Sequence, residues 1–163
     1  MTYTLLKRRV KGYAMVLSAV ALLMSCSKHD DPQPDPDPPP PAKKGLSTKI
    51  TVSVTGFVKK DHTAAFTFIG KAFDKPDDKT IWKVDGTVRP NEDSITIKDD
   101  QFTAEKTTYV VETNVPVASI LLKVKGANNS KTQSFKIVWN GPTGGSYSLT
   151  PGMSVETESV YKP

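Results

Sequence analysis

Between Leu46 and Pro163 apolar and polar residues alternate almost one for one. Ile50, Val52 and Val54 are interleaved with Thr51, Ser53 and Thr55, while Phe66 and Phe68 fall on one parity and Thr67 and Ile69 on the other. The same spacing returns at Ile95 and Ile97, at Ile120, Leu122 and Val124, at Phe135, Ile137 and Trp139, and at Met153, Val155 and Tyr161. Side chains two positions apart share one face of a pleated strand, so each stretch predicts a half-buried β-strand. The β-branched and aromatic residues that fill these stretches suit a pleated surface. No stretch of this region carries a sustained i, i+3, i+4 apolar stripe, which a surface helix requires. The pattern predicts an all-β domain.

Breaks between the strands are marked by turn-forming residues. Lys75-Pro76-Asp77-Asp78, Arg89-Pro90-Asn91-Glu92-Asp93, Gly126-Ala127-Asn128-Asn129-Ser130 and Gly141-Pro142-Thr143-Gly144-Gly145 are the clearest. Asp85-Gly86 is ambiguous. The pair is a strong hairpin cue, yet a two-residue hairpin would set Val84 against Thr87 and Trp82 against Arg89, mixing core and polar residues on one face. A continuous strand that keeps Trp82, Val84, Gly86 and Val88 on one parity is therefore preferred, with Gly86 at a bulge or a close backbone approach. Seven to nine strands in 118 residues predict a single antiparallel β-sandwich, with an immunoglobulin-like arrangement expected and a small β-barrel as the alternative. No Cys–Trp–Cys arrangement supports the immunoglobulin label, which rests on strand count.

The N-terminal part follows a different pattern. Tyr13 to Met24 is apolar except for Ser18. As a helix it would span less than about 20 Å, short of the ~30 Å hydrocarbon core of a bilayer. Lys7, Arg8, Arg9 and Lys11 precede it, and no acidic residue occurs before Asp30. A positive segment, a short apolar segment and then a small residue, Ser25, are the parts of a secretory signal peptide. The whole chain carries a formal charge of +5, which invites a nucleic-acid reading. Without residues 1–25 it holds 18 basic and 17 acidic side chains, so that reading loses its support and no nucleic-acid partner is expected.

Cys26 follows Ser25 and is the only cysteine, which excludes an intramolecular disulfide. Leu23-Met24-Ser25-Cys26 resembles the lipobox of bacterial lipoproteins, with Leu23 at the apolar site and Ser25 at the small site; Met24 departs from the commoner small residue. The resemblance implies cleavage by signal peptidase II between Ser25 and Cys26, and a diacylglycerol held on the Cys26 thioether, with palmitate as a further acyl chain. Several acyl chains, each contributing ~0.8 kcal/mol per buried CH₂, make such anchoring stable. Ser27, Lys28, His29, Asp30 and Asp31 resemble the acidic surface-export signal of Bacteroidota lipoproteins. That implies an outer-membrane lipoprotein facing the cell surface, the periplasmic face being the alternative. Both resemblances cover only about the first 30 residues and imply nothing about the downstream fold.

Seven of the 13 prolines lie between Pro32 and Pro41. Proline fixes φ and lacks a backbone donor, so this stretch predicts a polyproline-II spacer of roughly 30 Å. The expected organisation is a signal peptide over 1–25, a lipidated cysteine and Pro/Asp-rich linker over 26–45, and a β-sandwich over 46–163.

Within the sandwich the residues that carry chemistry are few. His62 is its only histidine and stands beside Lys59, Lys60 and Asp61, which predicts a solvated turn. No GxSxG, HExxH, P-loop or dinucleotide fingerprint occurs, so no catalytic residue and no cofactor is expected. Asp74, Asp77 and Asp78 share one turn, and Asp99 and Asp100 form a second acidic corner of the kind hard cations prefer. Lys71, Lys75 and Lys79 interleave the first cluster, so solvated charge rather than a metal site is expected.

Trp139, Asn140 and Tyr147 flank the 140–145 loop and are the candidates for a ligand-facing surface, because indole and phenol rings offer flat faces with a polar handle. The competing reading places Trp82 and Trp139 in the core at matching strand parity. Asn128-Asn129-Ser130 matches a glycosylation sequon of eukaryotes and is discounted beside a lipobox. Asp93-Ser94-Ile95 resembles the three-residue O-glycosylation site of exported Bacteroidota proteins, with Ser94 as acceptor. The expected function is non-catalytic: a membrane-anchored module for interaction or adhesion with a protein or glycan partner. A purely structural, envelope-stabilising lipoprotein is the alternative, and a small carboxylate-dependent hydrolase the third reading.

Overall fold

The computed structural model describes residues 44–163, so the signal segment, Ser25, Cys26, the Ser27–Asp31 tract and the proline run lie outside the described residues. Ten strands follow one another without a helix among the described residues. They are β1 (Lys49–Thr55), β2 (His62–Ala72), β3 (Trp82–Val84), β4 (Thr87–Arg89), β5 (Ser94–Lys98), β6 (Thr108–Thr113), β7 (Val117–Asn128), β8 (Phe135–Asn140), β9 (Gly145–Leu149) and β10 (Ser154–Tyr161). They form two antiparallel sheets, a six-stranded one in the order β4-β3-β6-β1-β8-β9 and a four-stranded one in the order β10-β7-β2-β5. Neither sheet closes on itself, so the fold is a β-sandwich and not a barrel.

The alternation read from the sequence is the alternation observed. Ile50, Val52 and Val54 of β1, with Phe135, Ile137 and Trp139 of β8, project from the six-stranded sheet into one core. Ala64, Phe66 and Phe68 of β2 meet them from the other sheet, beside Ile120, Leu122 and Val124 of β7. Full burial of each large aliphatic or aromatic side chain contributes about 1.5–3 kcal/mol. Aromatic edges add to this around Phe102, whose ring lies 6.0 Å from Phe66 and 5.5 Å from Tyr109 in near-perpendicular contacts.

The Asp85-Gly86 expectation is overturned. β3 and β4 form a two-residue hairpin that pairs Val84 with Thr87 and Trp82 with Arg89, the register that mixes core and polar residues. Asp85 at φ 49° and Gly86 at φ 80° supply the two positive dihedrals a type I′ turn needs. The mixing costs little because β4 is a sheet edge whose three residues are all exposed. Val88 is accordingly 41% exposed instead of sharing the core with Trp82. The hairpin also raises the strand count above the expected range.

Gly126 to Ser130 is not a break along its length either, since β7 runs through Gly126 and Ala127 to Asn128. Gly126 faces inward, where a Cβ would overlap Ile137 Cδ1, so glycine here admits a close approach of the second sheet. The turn begins one residue later. Asn128 fixes it, its amide donating to the carbonyls of Gln133 and Leu149 at 2.8 Å while its Oδ1 accepts from Ser130 N–H. Met153 lies before β10 and is 48% exposed, so only Tyr161 of the expected Met153–Val155–Tyr161 row is fully buried.

Candidate functional site

The residues singled out around the 140–145 loop separate by depth. Trp139 is inward-facing on β8 and only 5% exposed, in the core placement. Its ring rests on the backbone of Gly145, its cross-strand partner, where a Cβ would overlap the indole. Trp139 Nε1 is buried without a hydrogen-bond partner among the described residues. Tyr147 lies 5.8 Å from the indole and is 39% exposed, because β9 is an edge strand with no strand beyond it among the described residues. Asn140 is exposed at the end of β8. Of the three, Tyr147 and Asn140 face solvent, and the tryptophan supports them from beneath.

His62 departs from the solvated turn expected of it. It is 1% exposed, opens β2 on the same parity as Ala64, Phe66 and Phe68, and stacks on Phe135 at 4.4 Å with a 17° interplanar angle. Its Nδ1 accepts the Val58 N–H at 2.9 Å, which closes the 58–62 turn and leaves the ring proton on Nε2. Nε2 itself has no partner among the described residues. Packed between Phe57 and Phe135, the imidazole is a core element that fastens a turn.

Three of the acidic groups are engaged locally. Asp78 Oδ1 accepts from Thr80 N–H, Asp99 Oδ1 accepts from Asp100 N–H, and Asp100 pairs with Lys98 at 3.3 Å. Among the described residues no three His, Cys, Asp or Glu side chains gather as a metal-ligating group. Ser94 is exposed at the first position of β5, opposite Ile69.

The titrating groups that stand apart belong to surface ion pairs. Partial burial pushes the Asp85 carboxyl up, but Lys106 at 2.7 Å and the Val110 N–H at 2.9 Å outweigh it and hold the group below the ordinary carboxylate value. The Lys106 ammonium is raised by its hydrogen bond to Asp85, and Lys123 by its hydrogen bond to Glu158. The first pair joins the β3–β4 turn to the loop before β6, and the second lies across β7 and β10.

A feature the sequence did not disclose lies on the outer face of the four-stranded sheet. A groove of about 560 Å³ has Ile69 of β2 and Leu121 of β7 on its floor, with Pro76, Asp78, Lys79 and Asp93 around it. Ile69 and Leu121 are register partners, and Val160 of β10 continues the same row beside Leu121. Alternation showed that these residues face away from the core, but it could not show that three strands align them.

A scan of protein-family models matched none, and no curated protein matched the sequence. The fold is similar to that of a domain of unknown function, DUF4425, from Bacteroides vulgatus, at 14% identity and a TM-score of 0.55 over 76% of this chain and 99% of that one. It is similar to a DUF4425 family protein from Bacteroides ovatus, at 13% identity and 0.51 over 73% and 95% of the two chains. It also resembles the calcium-bound form of a protein from Parabacteroides distasonis, at 12% identity and 0.52 over 78% and 100%. At these identities the likeness is one of fold.

Proposed function

We propose that this protein is a lipid-anchored outer-membrane lipoprotein whose β-sandwich serves as a non-catalytic module for interaction with an envelope protein or glycan. The observation that carries the proposal is Cys26, the chain's single cysteine, placed directly after a basic segment, a short apolar segment and Ser25. The proline-rich stretch that follows suits a spacer between a lipid and a domain with its own core. Similar folds in Bacteroides and Parabacteroides proteins fit the Bacteroidota-type export tract at Ser27–Asp31. In this reading the tether faces outward from the cell, and the solvent-facing Tyr147 and Asn140 are presented on a rigid scaffold. An exposed Ser94 is open to O-glycosylation. The calcium carried by the Parabacteroides distasonis protein is not brought to this chain, whose acidic turn is interleaved with Lys71, Lys75 and Lys79.

Cys26→Ala is the direct test. The full chain expressed in a Bacteroides host should sediment with membranes and carry the mass of a diacylglycerol plus an acyl chain, and the variant should lose both. Equal membrane association and equal mass for the two would overturn the anchor. Proteinase treatment of intact cells then decides orientation: removal of the domain supports surface display, and protection until lysis assigns the periplasmic face.

A further inference from the structure

We propose that Asn140 is a site of spontaneous deamidation, at which water converts the exposed end of β8 to aspartate and isoaspartate at a pace set by the Tyr161–Thr143 hydrogen bond. Cys26 and the tether take no part in it. Asparagine is among the thermolabile side chains. Its carboxamide carbon is open to attack by the backbone nitrogen of the next residue, once that nitrogen has given its proton to a base from solvent. The new C–N bond closes a succinimide ring, the Cγ–Nδ2 bond breaks, and the side-chain nitrogen leaves as ammonia. Water then adds to either ring carbonyl and reopens the ring. The product is aspartate or, where the main chain now runs through the β-carbon, isoaspartate. The reaction needs a solvent-facing carboxamide, a following nitrogen that is uncrowded and not engaged in a hydrogen bond, and a backbone free to turn.

Of the five asparagines in the chain, Asn140 alone is followed by glycine, whose missing Cβ leaves the nitrogen uncrowded. Asn140 is exposed, and so are residues 141–144 after it. No backbone carbonyl among the described residues accepts the Gly141 N–H. The other asparagines are held differently. Asn128 is buried, and the N–H that follows it donates to the Asp61 carbonyl at 2.7 Å. Asn129 is exposed, but the Ser130 N–H that follows it donates to Asn128 Oδ1 at 2.9 Å. The Asn114 amide donates to the Thr80 carbonyl at 3.1 Å and precedes a stiff β-branched valine, and Asn91 precedes glutamate.

Tertiary structure sets the pace. Ring closure takes Asn140 out of the extended backbone of a strand, and Asn140 forms the last pair of the β1–β8 ladder, opposite Thr51. Turning it therefore moves the 141–144 loop and not the sheet. That loop is fastened from the opposite sheet, where the hydroxyl of the buried Tyr161 of β10 donates to the Thr143 carbonyl at 3.0 Å. The bond resists the rotation, so it slows the reaction without blocking it. Each event adds a negative charge to an outer face that otherwise presents the neutral Thr51, Val138 and Ser146 beside it.

Peptide mapping of the folded full chain, incubated at mildly alkaline pH in detergent, tests this directly. The peptide holding Asn140 should gain the mass of one deamidation and split into two chromatographic species, aspartate and isoaspartate. It should do so about tenfold faster than the peptide holding Asn128 and Asn129. The rate should rise with pH, as loss of the amide proton requires. Tyr161→Phe keeps the buried ring, removes only the hydrogen bond to Thr143 and should speed conversion about fivefold. In urea, where no chain keeps that bond, the parent and Tyr161→Phe should convert at equal rates. Conversion of Asn140 no faster than that of Asn129 in the folded chain overturns the site. Equal rates for the folded parent and Tyr161→Phe, or a difference that persists in urea, overturn the pacing bond. A parent-like circular-dichroism signature for the variant keeps these outcomes readable.

Discussion

The two tryptophans lie on strands of the same six-stranded sheet and face the same core, yet their surroundings differ. Each rests on a glycine, Trp82 against Gly70 of the opposite sheet and Trp139 against Gly145 of the neighbouring edge strand. Trp82 is fully buried, and its Nε1 donates to the Asp93 carbonyl at 3.1 Å. The same carbonyl also accepts the Gly70 N–H, so one backbone oxygen ties the indole to β2. Trp139 is nearly as buried but leaves its Nε1 without a partner, under a half-exposed Tyr147. An indole donor matched by a backbone carbonyl at Trp82 therefore contrasts with one at Trp139 that has no partner among the described residues. The lesson is that equal parity and near-equal burial do not imply equal satisfaction of polar atoms.

The contrast can be pressed experimentally. Gly145→Ala should have the largest effect, because its Cβ would overlap the rigid indole of Trp139; overpacking of this kind costs about 1–3 kcal/mol. Urea unfolding should show that loss, and it should be regained in part by Gly145→Ala combined with Trp139→Phe. Next, Trp82→Phe should cost about 1 kcal/mol more than Trp139→Phe, since only the former breaks a hydrogen bond. Equal costs would mean the two sites are not distinguished by that bond.

The smallest effect is expected at the β3–β4 hairpin that covers the Trp82 end. Asp85 is held below its ordinary pKa, so its ion pair with Lys106 adds stability above about pH 4 and loses it as pH falls through the lowered value. Asp85→Asn retains an acceptor for Val110 N–H and tolerates the positive φ, so it should be slightly less stable near neutrality and equal to the parent in acid. A thermal midpoint difference that persists unchanged to pH 2 would show that the pair is not its source.

Much of the fold was legible in the alternation. Val52, Phe66, Leu122 and Ile137 point inward as their spacing requires. His62 was misread because Lys59, Lys60 and Asp61 beside it suggest a turn, although its parity with Ala64 and Phe66 already placed it on the core face. Val88 was misread for the opposite reason. Parity assigned it to the core, but a local turn dihedral at Asp85-Gly86 reversed the chain, and an edge strand imposes no burial. The candidate site was legible only as a pair of rings near a loop; which ring faces water depends on β9 being an edge.

Sequence alone determined the period-two strands, the two-sided faces they present, and the address-like pattern of Lys7 to Cys26, because these depend on residues near one another along the chain. Tertiary structure decided which strands lie at sheet edges, that Ile69, Leu121 and Val160 fall in one row, and that Trp82 finds a carbonyl while Trp139 does not. Those properties belong to strand order and register between distant segments. Local periodicity specifies the faces of a strand, and only the pairing of sheets specifies its neighbours.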